Sequence, residues 1–377
     1  MFPYLSTVHL PMMPRSAPSR LKRILSTTLG ARRYRALRQA QWAAATEWRD
    51  SRFTWPQKLW AWRRGFTADS AALYDLSGGD WQDYLSDYVR ENQGVLLNAL
   101  PQFFDQKMML RALLLHHGFK QAETFALIAR SDVQLDPFGQ QPCLTTLTEL
   151  ESRMQNDGGP FIVKPQDSGM GFGVALVSAD NGSLTRRRGH KVSQYRVRPS
   201  GTSTLVERVV PQHEAWQTFF GGSANTMRLL TLWTPGEAAP FIAAAAQRIG
   251  ASDTAPTDNF AGGGMAASIG LETGVLGSAY RRTASGRPDR LTHHHETGAR
   301  IEGVQLPFWD RIKETVLSAA SLLGAARYVG WDVMIDREGT PVIIEGNANT
   351  GVHILQLDAG LLKEPRARRF YEQCGVL

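Results

Sequence analysis

The second half of this chain is a series of short apolar runs separated by glycine-rich segments, and this pattern limits the folds open to it. Seven runs follow residue 160: FIVK, GVALV, TLVERVV, MRLLTLW, FIAAAAQRI, YVGWDVMI and PVIIE. Such runs, rich in β-branched residues and bounded by turn residues, are typical of strands joined by tight turns. A long helical stretch, residues 308–327, precedes the last two runs. The pattern predicts an α+β body of antiparallel hairpins rather than a doubly wound dinucleotide fold.

The composition is that of a globular protein. The chain has 377 residues, 42% hydrophobic and 20% charged, which is enough for two or more compact units. Its two cysteines, Cys143 and Cys374, lie far apart, so we expect neither a disulfide framework nor a cysteine metal site. We find no uncharged apolar run of 18 residues, and we expect neither a membrane span nor a signal peptide. These features predict a cytoplasmic protein.

Positive charge is concentrated at the start of the sequence. Residues 1–66 hold 13 Lys or Arg against only Glu47 and Asp50, a balance of +11, whereas the remaining residues carry −4. Five of the ten tryptophans also lie there, and Ala31 to Arg49 has helical spacing. We interpret the segment as a helical cap that packs its aromatic residues and exposes its arginines. The alternative is an arm that contacts an anionic surface, such as the inner membrane surface, nucleic acid being the less expected partner.

A glycine-rich hairpin lies in FIVKPQDSGMGFGVALV, residues 161–177. A strand ends at Lys164, the loop holds Gly169, Gly171 and Gly173, and another strand follows. Successive glycines let backbone N–H groups converge on an anion without a clash from Cβ, and Lys164 adds a cation. Because a strand follows the glycines, neither a Rossmann turn nor a Walker loop fits. The pattern predicts a phosphate-covering hairpin, with Lys164 having no obvious role in the core.

Two acids and an amide occur in GWDVMIDREGTPVIIEGNANTG, residues 330–351. The runs WDVMID and VIIE predict an antiparallel hairpin around REGT. This hairpin brings Asp332 and Glu345 to one face, and Asn347, two residues further on, returns to it. Carboxylate and amide oxygens are hard ligands of the kind that Mg²⁺ prefers. We therefore predict a magnesium site at Asp332, Glu345 and Asn347.

Two further features suit nucleotide recognition. The segment TLVERVVPQHE, residues 204–214, is an apolar strand whose backbone suits an adenine edge. His213 or Glu214 would then reach the ribose hydroxyls. Arg228 and Arg248 lie within apolar runs, where an arginine is costly unless an anion meets it. We expect both arginines to face an anionic group, with surface salt bridges as the alternative.

These features follow a fixed order: Lys107 on an early helix, Lys164 with its loop, Glu207, the two arginines and the acidic triplet. In this order the chain resembles the ATP-grasp superfamily. Within it, the chain resembles most the sugar-transfer-associated ATP-grasp family, which is related to α-L-glutamate ligase-like proteins. The resemblance covers roughly residues 60–365. It is carried by GFTADSAALYDLSGGDWQDYLSDY, SANTMRLLT, TDNFAGGGMAASI, YVGWDVMID and IIEGNANTGVHILQ.

The resemblance implies two α+β subdomains that clasp ATP, preceded by a helical, basic extension. The implied segments are 1–66 for the arm, 67–104 for a helical cover, 105–206 for the first subdomain with its glycine lid, and 207–377 for the second subdomain with the metal site. The implied nucleotide contacts are Lys107, Lys164, Gly169, Gly171, Gly173, Glu207, Arg208, Val209, Val210, His213 and Glu214. The implied catalytic residues are Arg228 and Arg248, and the implied ligands of two Mg²⁺ ions, which Mn²⁺ could replace, are Asp332, Glu345 and Asn347. The sequence departs from the family at Gln106, which separates Asp105 from Lys107.

Most ATP-grasp proteins join a carboxylate to an amine. The resemblance therefore implies an ADP-forming carboxylate–amine ligase that works through an acyl phosphate on small-molecule, peptide or glycan substrates. One such reaction would add an amino acid to a glycan or peptide precursor. A phosphotransferase with a hydroxyl acceptor is the alternative on the same nucleotide site. The sequence identifies neither substrate and leaves the oligomeric state open. We interpret His293–His295 as part of a solvated polar loop rather than as a metal site.

Overall fold

The computed structural model describes residues 31–93, 97–166, 171, 173–180 and 182–377. The predictions for residues 1–30 and for Gly169 lie outside these residues. The described chain forms two compact units. One comprises residues 31–68 with Ser86–Tyr88, and the other comprises Asp69–Leu85 and Val89–Leu377.

The first unit is helical. It contains α1 (Ala31–Glu47) and α2 (Trp55–Trp62). The residue before α2, Thr54, donates its backbone N–H to Gln57 Oε1 at 2.8 Å, which closes the first turn of the helix. The predicted helical character of the N-terminal region is confirmed.

Helices also precede the sheets of the second unit. The described ones are α3 (Ala68–Leu73), α4 (Asp87–Gln93), α5 (Gln102–Asp105) and α6 (Lys107–His116). α6 buries Leu110 and Leu114, four residues apart and therefore on one side of the helix. Of the helices in the described part of the chain, none is long and apolar enough to cross a membrane.

The larger sheet has eight strands among the described residues. They are β1 (Thr124–Arg130), β2 (Asp132–Leu135), β3 (Cys143–Thr145), β4 (Phe161–Pro165), β5 (Ala175–Asp180), β6 (Ser183–Arg188), β7 (Lys191–Tyr195) and β8 (Ser200–Arg208). The spatial order is β3-β2-β1-β8-β4-β5-β6-β7. α7 (Leu147–Asp157) contributes Leu150 and Met154 to the core of this sheet. Because β8 lies beside β4, Glu207 and Lys164 lie on neighbouring strands.

The second sheet has seven described strands. They are β9 (Met227–Leu232), β10 (Phe241–Ile249), β11 (Met265–Ile269), β12 (Leu276–Arg282), β13 (Pro288–Leu291), β14 (Tyr328–Ile335) and β15 (Pro341–Asn347), in the order β13-β12-β11-β10-β9-β14-β15. The accompanying helices are α8 (Glu214–Gln217), α9 (Trp309–Ser321) and α10 (Pro365–Gln373). In the described part of the chain, the neighbouring strands of both sheets pair antiparallel. The predicted antiparallel α+β body is confirmed.

The two faces of the seven-stranded sheet differ in chemistry. One face is apolar, and its Leu229 and Trp331 share a buried core with Val316 of α9. Successive side chains of a strand point to opposite faces. Arg228 and Asp332, which adjoin Leu229 and Trp331 in sequence, therefore lie on the other face. The burial of the first face thus fixes which residues the second face presents.

Asn98 joins two segments that are distant in sequence. Its side-chain amide donates to the carbonyls of Tyr328 and Ala348 at 2.7 and 2.8 Å, and its Oδ1 accepts the backbone N–H of Tyr328 at 2.9 Å. Asn98 is buried, so these backbone groups have little access to water as a substitute partner. The contacts hold the start of β14 against the loop that follows β15.

We predict that Asn98→Ala lowers the free energy of unfolding by about 2–4 kcal/mol, because three buried backbone groups lose their hydrogen-bond partner. Urea unfolding monitored by circular dichroism measures this change. The control is Asn156→Ala on α7, where the side chain is exposed and a change below about 0.5 kcal/mol is expected. Equal effects of the two substitutions would contradict the bridging role of Asn98.

Candidate active site

Strand pairing aligns the predicted charged residues on one face of the seven-stranded sheet. Asp332 on β14 lies opposite Glu345 on β15 and opposite Arg228 on β9. Arg228 in turn lies opposite Ala246 on β10, two residues before Arg248. Directly paired residues share a face, and so do residues two apart along a strand. The fold therefore brings together all four charged residues that the sequence suggested for this region.

Asp332 is the centre of a buried ion network. Arg228 donates to both carboxylate oxygens of Asp332, from Nε and, at 2.8 Å, from Nη2. Arg248 Nη1 donates to Asp332 Oδ2 at 3.1 Å. The remaining Nη1 of Arg228 donates to Thr350 Oγ1 at 2.6 Å. Burial alone would raise the pKa of Asp332, but the two guanidinium groups lower it to about 2, so the carboxylate is ionised at neutral pH.

Asp258 extends this network, and the sequence analysis did not assign it a role. Its carboxylate pairs with Arg248 Nη2 and accepts hydrogen bonds from the backbone N–H and the hydroxyl of Thr226 at 2.6 and 2.7 Å. Asp258 is buried. Its position in TDNFAGGGMAASI, one of the motifs that carry the family resemblance, was the available signal. Asp258 thus fixes the far side of the Arg248 guanidinium.

Glu345 adds a second carboxylate beside Asp332. Burial and the neighbouring carboxylate of Asp332 raise the pKa of Glu345. Asn347 donates its side-chain N–H to Glu345 Oε1 at 3.2 Å, which leaves the amide oxygen of Asn347 available. A carboxylate has about four lone-pair sites, of which Arg228 and Arg248 use three on Asp332.

The chemistry of this donor set fits a hard divalent cation. A buried carboxylate, a half-buried one close to it and an amide oxygen are suitable ligands for Mg²⁺, which normally completes its shell with water and phosphate oxygens. Within the described residues, no group of three or more His, Cys, Asp or Glu side chains could hold a metal. The metal assignment to Asp332, Glu345 and Asn347 therefore depends on the asparagine oxygen and stays a prediction.

Lys107 lies close to this acidic group. It is the first residue of α6 and lines a small cavity together with Phe104, Glu345 and Gly346. Its Nζ donates to the carbonyl of Gln166 at 2.9 Å, directly before the glycine loop, and its charge acts to lower the pKa of Glu345 against the stronger effects of burial and Asp332. The intervening Gln106 therefore does not prevent Lys107 from approaching the site.

Lys164 belongs to a second buried ion group, so the expectation that it has no core role is wrong. It is only 7% exposed, and its Nζ lies 2.8 Å from Glu207 Oε2. The other oxygen of Glu207 lies 2.6 Å from Arg111 Nη2. Burial would raise the pKa of Glu207, but the two cations hold it below its ordinary value. Arg111 was missed by sequence reasoning, although an arginine within the apolar helix KMMLRALLLH was a usable signal.

The segment predicted to bind adenine has most of its groups engaged. The backbone N–H groups of Arg208 and Val209 donate to Glu123 and Pro160 at 3.0 and 3.3 Å. The N–H of Val210 has no backbone partner in the described part of the chain. Within the segment predicted to meet the adenine, Glu207 to Val210, Val210 therefore has a backbone donor to offer.

The neighbouring side chains of this segment are less suited to the ribose. The Arg208 guanidinium pairs with Glu123 and Asp157. His213 Nδ1 accepts the backbone N–H of Ala215 at 3.2 Å and so caps α8. Glu214 is exposed. Of the two predicted ribose contacts, Glu214 thus has the more accessible side chain.

The described part of the glycine loop requires glycine. Gly171 and Gly173 have φ of +70° and +79°, a region that side chains disfavour. A Cβ on Gly173 would lie 2.6 Å from Cγ of Pro165, and one on Gly171 would lie 3.4 Å from Cγ2 of Thr257. Thr257 belongs to the segment between β10 and β11. The described part of the loop thus lies close to the segment that carries Asp258.

The interpretation of His293–His295 as a solvated loop is wrong for the central residue. His294 is only 1% exposed. Its Nε2 lies 2.9 Å from the carbonyl of Gly250, and its Nδ1 accepts backbone N–H groups from Glu296 and Thr297. These contacts use both ring nitrogens, so His294 organises the segment next to Arg248 instead of offering a ligand to a metal.

Sequence comparison decides the family. The model of the sugar-transfer associated ATP-grasp family matches residues 95–370. The chain belongs to this family. The match includes every predicted site residue from Lys107 to Asn347, and it supports an ATP-binding enzyme with the ATP-grasp fold. No curated protein matches the chain.

Solved structures similar to this ATP-grasp protein include three ligases. The ATP-grasp ligase PsnB complexed with minimal precursor is 13% identical, with 85% of this chain and 74% of that chain covered and a TM-score of 0.37. The D-alanine–D-alanine ligase of Bacillus anthracis complexed with ATP is 12% identical, with 72% and 65% covered and a TM-score of 0.36. The L-amino acid ligase of Bacillus licheniformis is 13% identical, with 67% and 42% covered and a TM-score of 0.35.

We predict that Arg111→Met and Lys164→Met each lower the free energy of unfolding by about 1.5–3 kcal/mol, because each removes a charged hydrogen bond to the buried carboxylate of Glu207 while the other cation still balances its charge. Chemical unfolding measures the loss. The matched control is Arg153→Met, which breaks an exposed pair with Glu149 and should cost less than about 0.5 kcal/mol. A comparably small cost for the buried residues would show that Glu207 does not need both cations.

The raised pKa of Glu345 leads to a prediction with a definite sign. A carboxyl whose pKa is raised by folding binds protons more tightly in the folded state, so its contribution to stability falls as the pH rises through that pKa. Above this range Glu345→Gln should therefore raise the melting temperature in the absence of metal, by about 2–4 °C for each kcal/mol of repulsion removed. Scanning calorimetry at pH 5 and pH 8 tests this prediction. The control is Glu338→Gln, because Glu338 is an exposed acid of the same hairpin.

Proposed function

We propose that this protein is an ADP-forming carboxylate–amine ligase that acts through an acyl phosphate. The observation that supports this most is the row of fixed charges on the polar face of the seven-stranded sheet. Arg228 and Arg248 are held by Asp332, and Glu345 adds a second carboxylate beside Asp332. Cations and cation ligands within one row suit a reaction that brings a carboxylate to a phosphate, since both reactants are anions.

The phosphates of ATP would meet the cations that face the glycine loop. Lys164 uses its ammonium on Glu207, which leaves two of its three N–H donors for phosphate oxygens. Lys107 adds a second cation near the start of the loop. Gly171 and Gly173, with Gly169 between Lys164 and Gly171 in sequence, would bring backbone N–H groups over the phosphates and exclude water from an intermediate that hydrolyses readily.

The adenine and the metal would lie at opposite ends of the nucleotide. The backbone of Val210 would donate to the adenine edge, and Glu214 would reach the ribose. Asp332, Glu345 and Asn347 would hold the magnesium. When bound there, Mg²⁺ would neutralise charge on the phosphate oxygens, and it would also relieve the repulsion between the two carboxylates.

The reaction would proceed in two displacements. A carboxylate oxygen of the first substrate attacks the γ-phosphorus, the bond to the bridging oxygen breaks, and ADP leaves. The amine nitrogen then attacks the acyl carbon, the bond from this carbon to the phosphate oxygen breaks, and the nitrogen gives its proton to water as phosphate leaves. Arg228 and Arg248 would offset the charge of the attacking carboxylate and of the phosphoryl oxygens in the first step.

We further propose that the substrates are small molecules, peptides or glycan precursors and that the reaction takes place in the cytoplasm. The two cysteines are unpaired, and Cys143 is exposed, which suits a reducing compartment. The charges of the polar face would attract carboxylates in general, so a screen is the way to identify the substrates.

We predict that hydroxylamine traps the acyl phosphate. The protein is incubated with ATP, Mg²⁺, hydroxylamine and a panel of carboxylates that includes amino acids, and hydroxamate, ADP and phosphate are measured. A ligase should form hydroxamate in proportion to ADP with its own carboxylate. Arg248→Ala should lower the rate by roughly two to three orders of magnitude, because a fixed charge is lost from the transition state.

The control for this experiment is Arg290→Ala, since Arg290 is exposed on β13 of the same sheet and should leave the rate unchanged. A stable phosphorylated product without hydroxamate would replace the ligase by a phosphotransferase with a hydroxyl acceptor. A rate that is the same in Arg248→Ala and Arg290→Ala would exclude Arg248 from the reaction.

A further inference from the structure

An exposed aromatic surface lies on the first unit, where α1 ends and α2 begins. Trp48, Trp55 and Leu59 are 59%, 49% and 45% exposed. The rings of Trp48 and Trp55 pack edge to face with centroids 4.7 Å apart. Leu59 lies one helical turn after Trp55 and therefore on the same side of α2. These three side chains form one continuous apolar surface, which we name the tryptophan patch.

The exposed and unpaired charges beside the tryptophan patch are positive, because the neighbouring acids are buried or paired. Glu47 is buried, and Asp50 is paired with Arg52 at 2.7 Å. By contrast, Arg49 and Arg63 are exposed, and their side chains have no partner among the described residues. Arg49 follows Trp48 directly, and Arg63 lies one turn after Leu59. The accessible charge at the patch is therefore positive.

We propose that the tryptophan patch docks on the surface of an anionic phospholipid bilayer. Indole rings favour the boundary between headgroups and acyl chains, because they are apolar with one polar N–H. Arginines at the edge of the patch would meet the anionic headgroups. Such docking goes beyond the proposed ligase activity, which needs no membrane, and it would hold the enzyme at a lipid surface.

Two other occupants fit the patch less well. Single-stranded nucleic acid stacks its bases on open ring faces, whereas the edge-to-face packing of Trp48 and Trp55 covers part of the ring surface. A second copy of the chain related by a two-fold axis would bring the same surface to both sides. The positive charges of Arg49 and Arg63 would then face like charges without compensation.

The test uses the full chain and vesicle sedimentation. Vesicles of phosphatidylcholine alone are compared with vesicles that also contain phosphatidylglycerol, at low and high salt. Binding is expected only to the anionic vesicles and should weaken with salt. The double substitution Trp48→Ala, Trp55→Ala should lower the affinity at least about tenfold. Arg49→Gln and Arg63→Gln should each lower it about fivefold.

Two variants separate docking from loss of structure. Leu144→Ala removes an apolar side chain that is 81% exposed on the second unit, and it should bind as the unchanged protein does. Trp48→Phe with Trp55→Phe keeps aromatic rings and should retain most of the affinity. Circular dichroism establishes that each variant is folded, and its ATP binding reports on the proposed function separately.

The proposal is overturned by any of four results. The first is no binding to anionic vesicles, and the second is equal binding by the alanine double variant, which would assign the binding to residues outside the patch. The third is an oligonucleotide that binds with the same dependence on Trp48 and Trp55 while the vesicles do not. Light scattering that shows a dimer abolished by the double variant, without vesicle binding, would also assign the patch to a second copy.

Discussion

The site depends on how the fold neutralises charge in a buried place. An isolated charge within an apolar sheet is strongly unfavourable, yet β9 and β10 each contribute an arginine. Asp332 pairs with both arginines, and Asp258 takes the remaining side of Arg248. These four residues balance in charge, and Glu345 adds a further carboxylate beside Asp332. Burial and the charge of Asp332 raise the pKa of Glu345 against the opposing charge of Lys107, and a metal cation bound at the site would relieve the repulsion between the two carboxylates.

The buried ion group around Glu207 carries more positive than negative charge. Lys164 and Arg111 share the single carboxylate of Glu207, so the group has one positive charge more than it has negative charges. The eight-stranded sheet therefore carries a surplus cation, and the seven-stranded sheet carries two neighbouring carboxylates. A nucleotide triphosphate with its metal has the complementary pair, because the phosphates are anionic and the ion is cationic. The proposed function is thus consistent with the charge of both groups.

The sequence predicted the features that depend on local patterns and missed those that depend on tertiary pairing. Glycine punctuation and apolar runs predicted the antiparallel hairpins, and the facing of Asp332 and Glu345 followed from the strand period of two. The pairing of Lys164 with Glu207 and the role of Asp258 could not be predicted in this way, because they depend on which strands become neighbours. His294 was misjudged for a related reason. A polar sequence around a residue does not reveal that a distant carbonyl, Gly250 O, is placed to meet its ring.

The contacts of Asn98 also bear on the order in which the fold forms while the chain is being synthesised. It bridges to Tyr328 and Ala348, which are 230 and 250 residues away, and Asp332 lies 104 residues after Arg228. Contacts of such separation form only when both parts of the chain are present. During synthesis, β9 and β10 emerge before their counter-ion exists, so the nascent chain has two arginines within apolar strands and no Asp332 to pair with them. Until the hairpin of β14 and β15 has been made, β9 therefore lacks the neighbour that covers its outer edge, and an unpaired strand edge is prone to wrong associations.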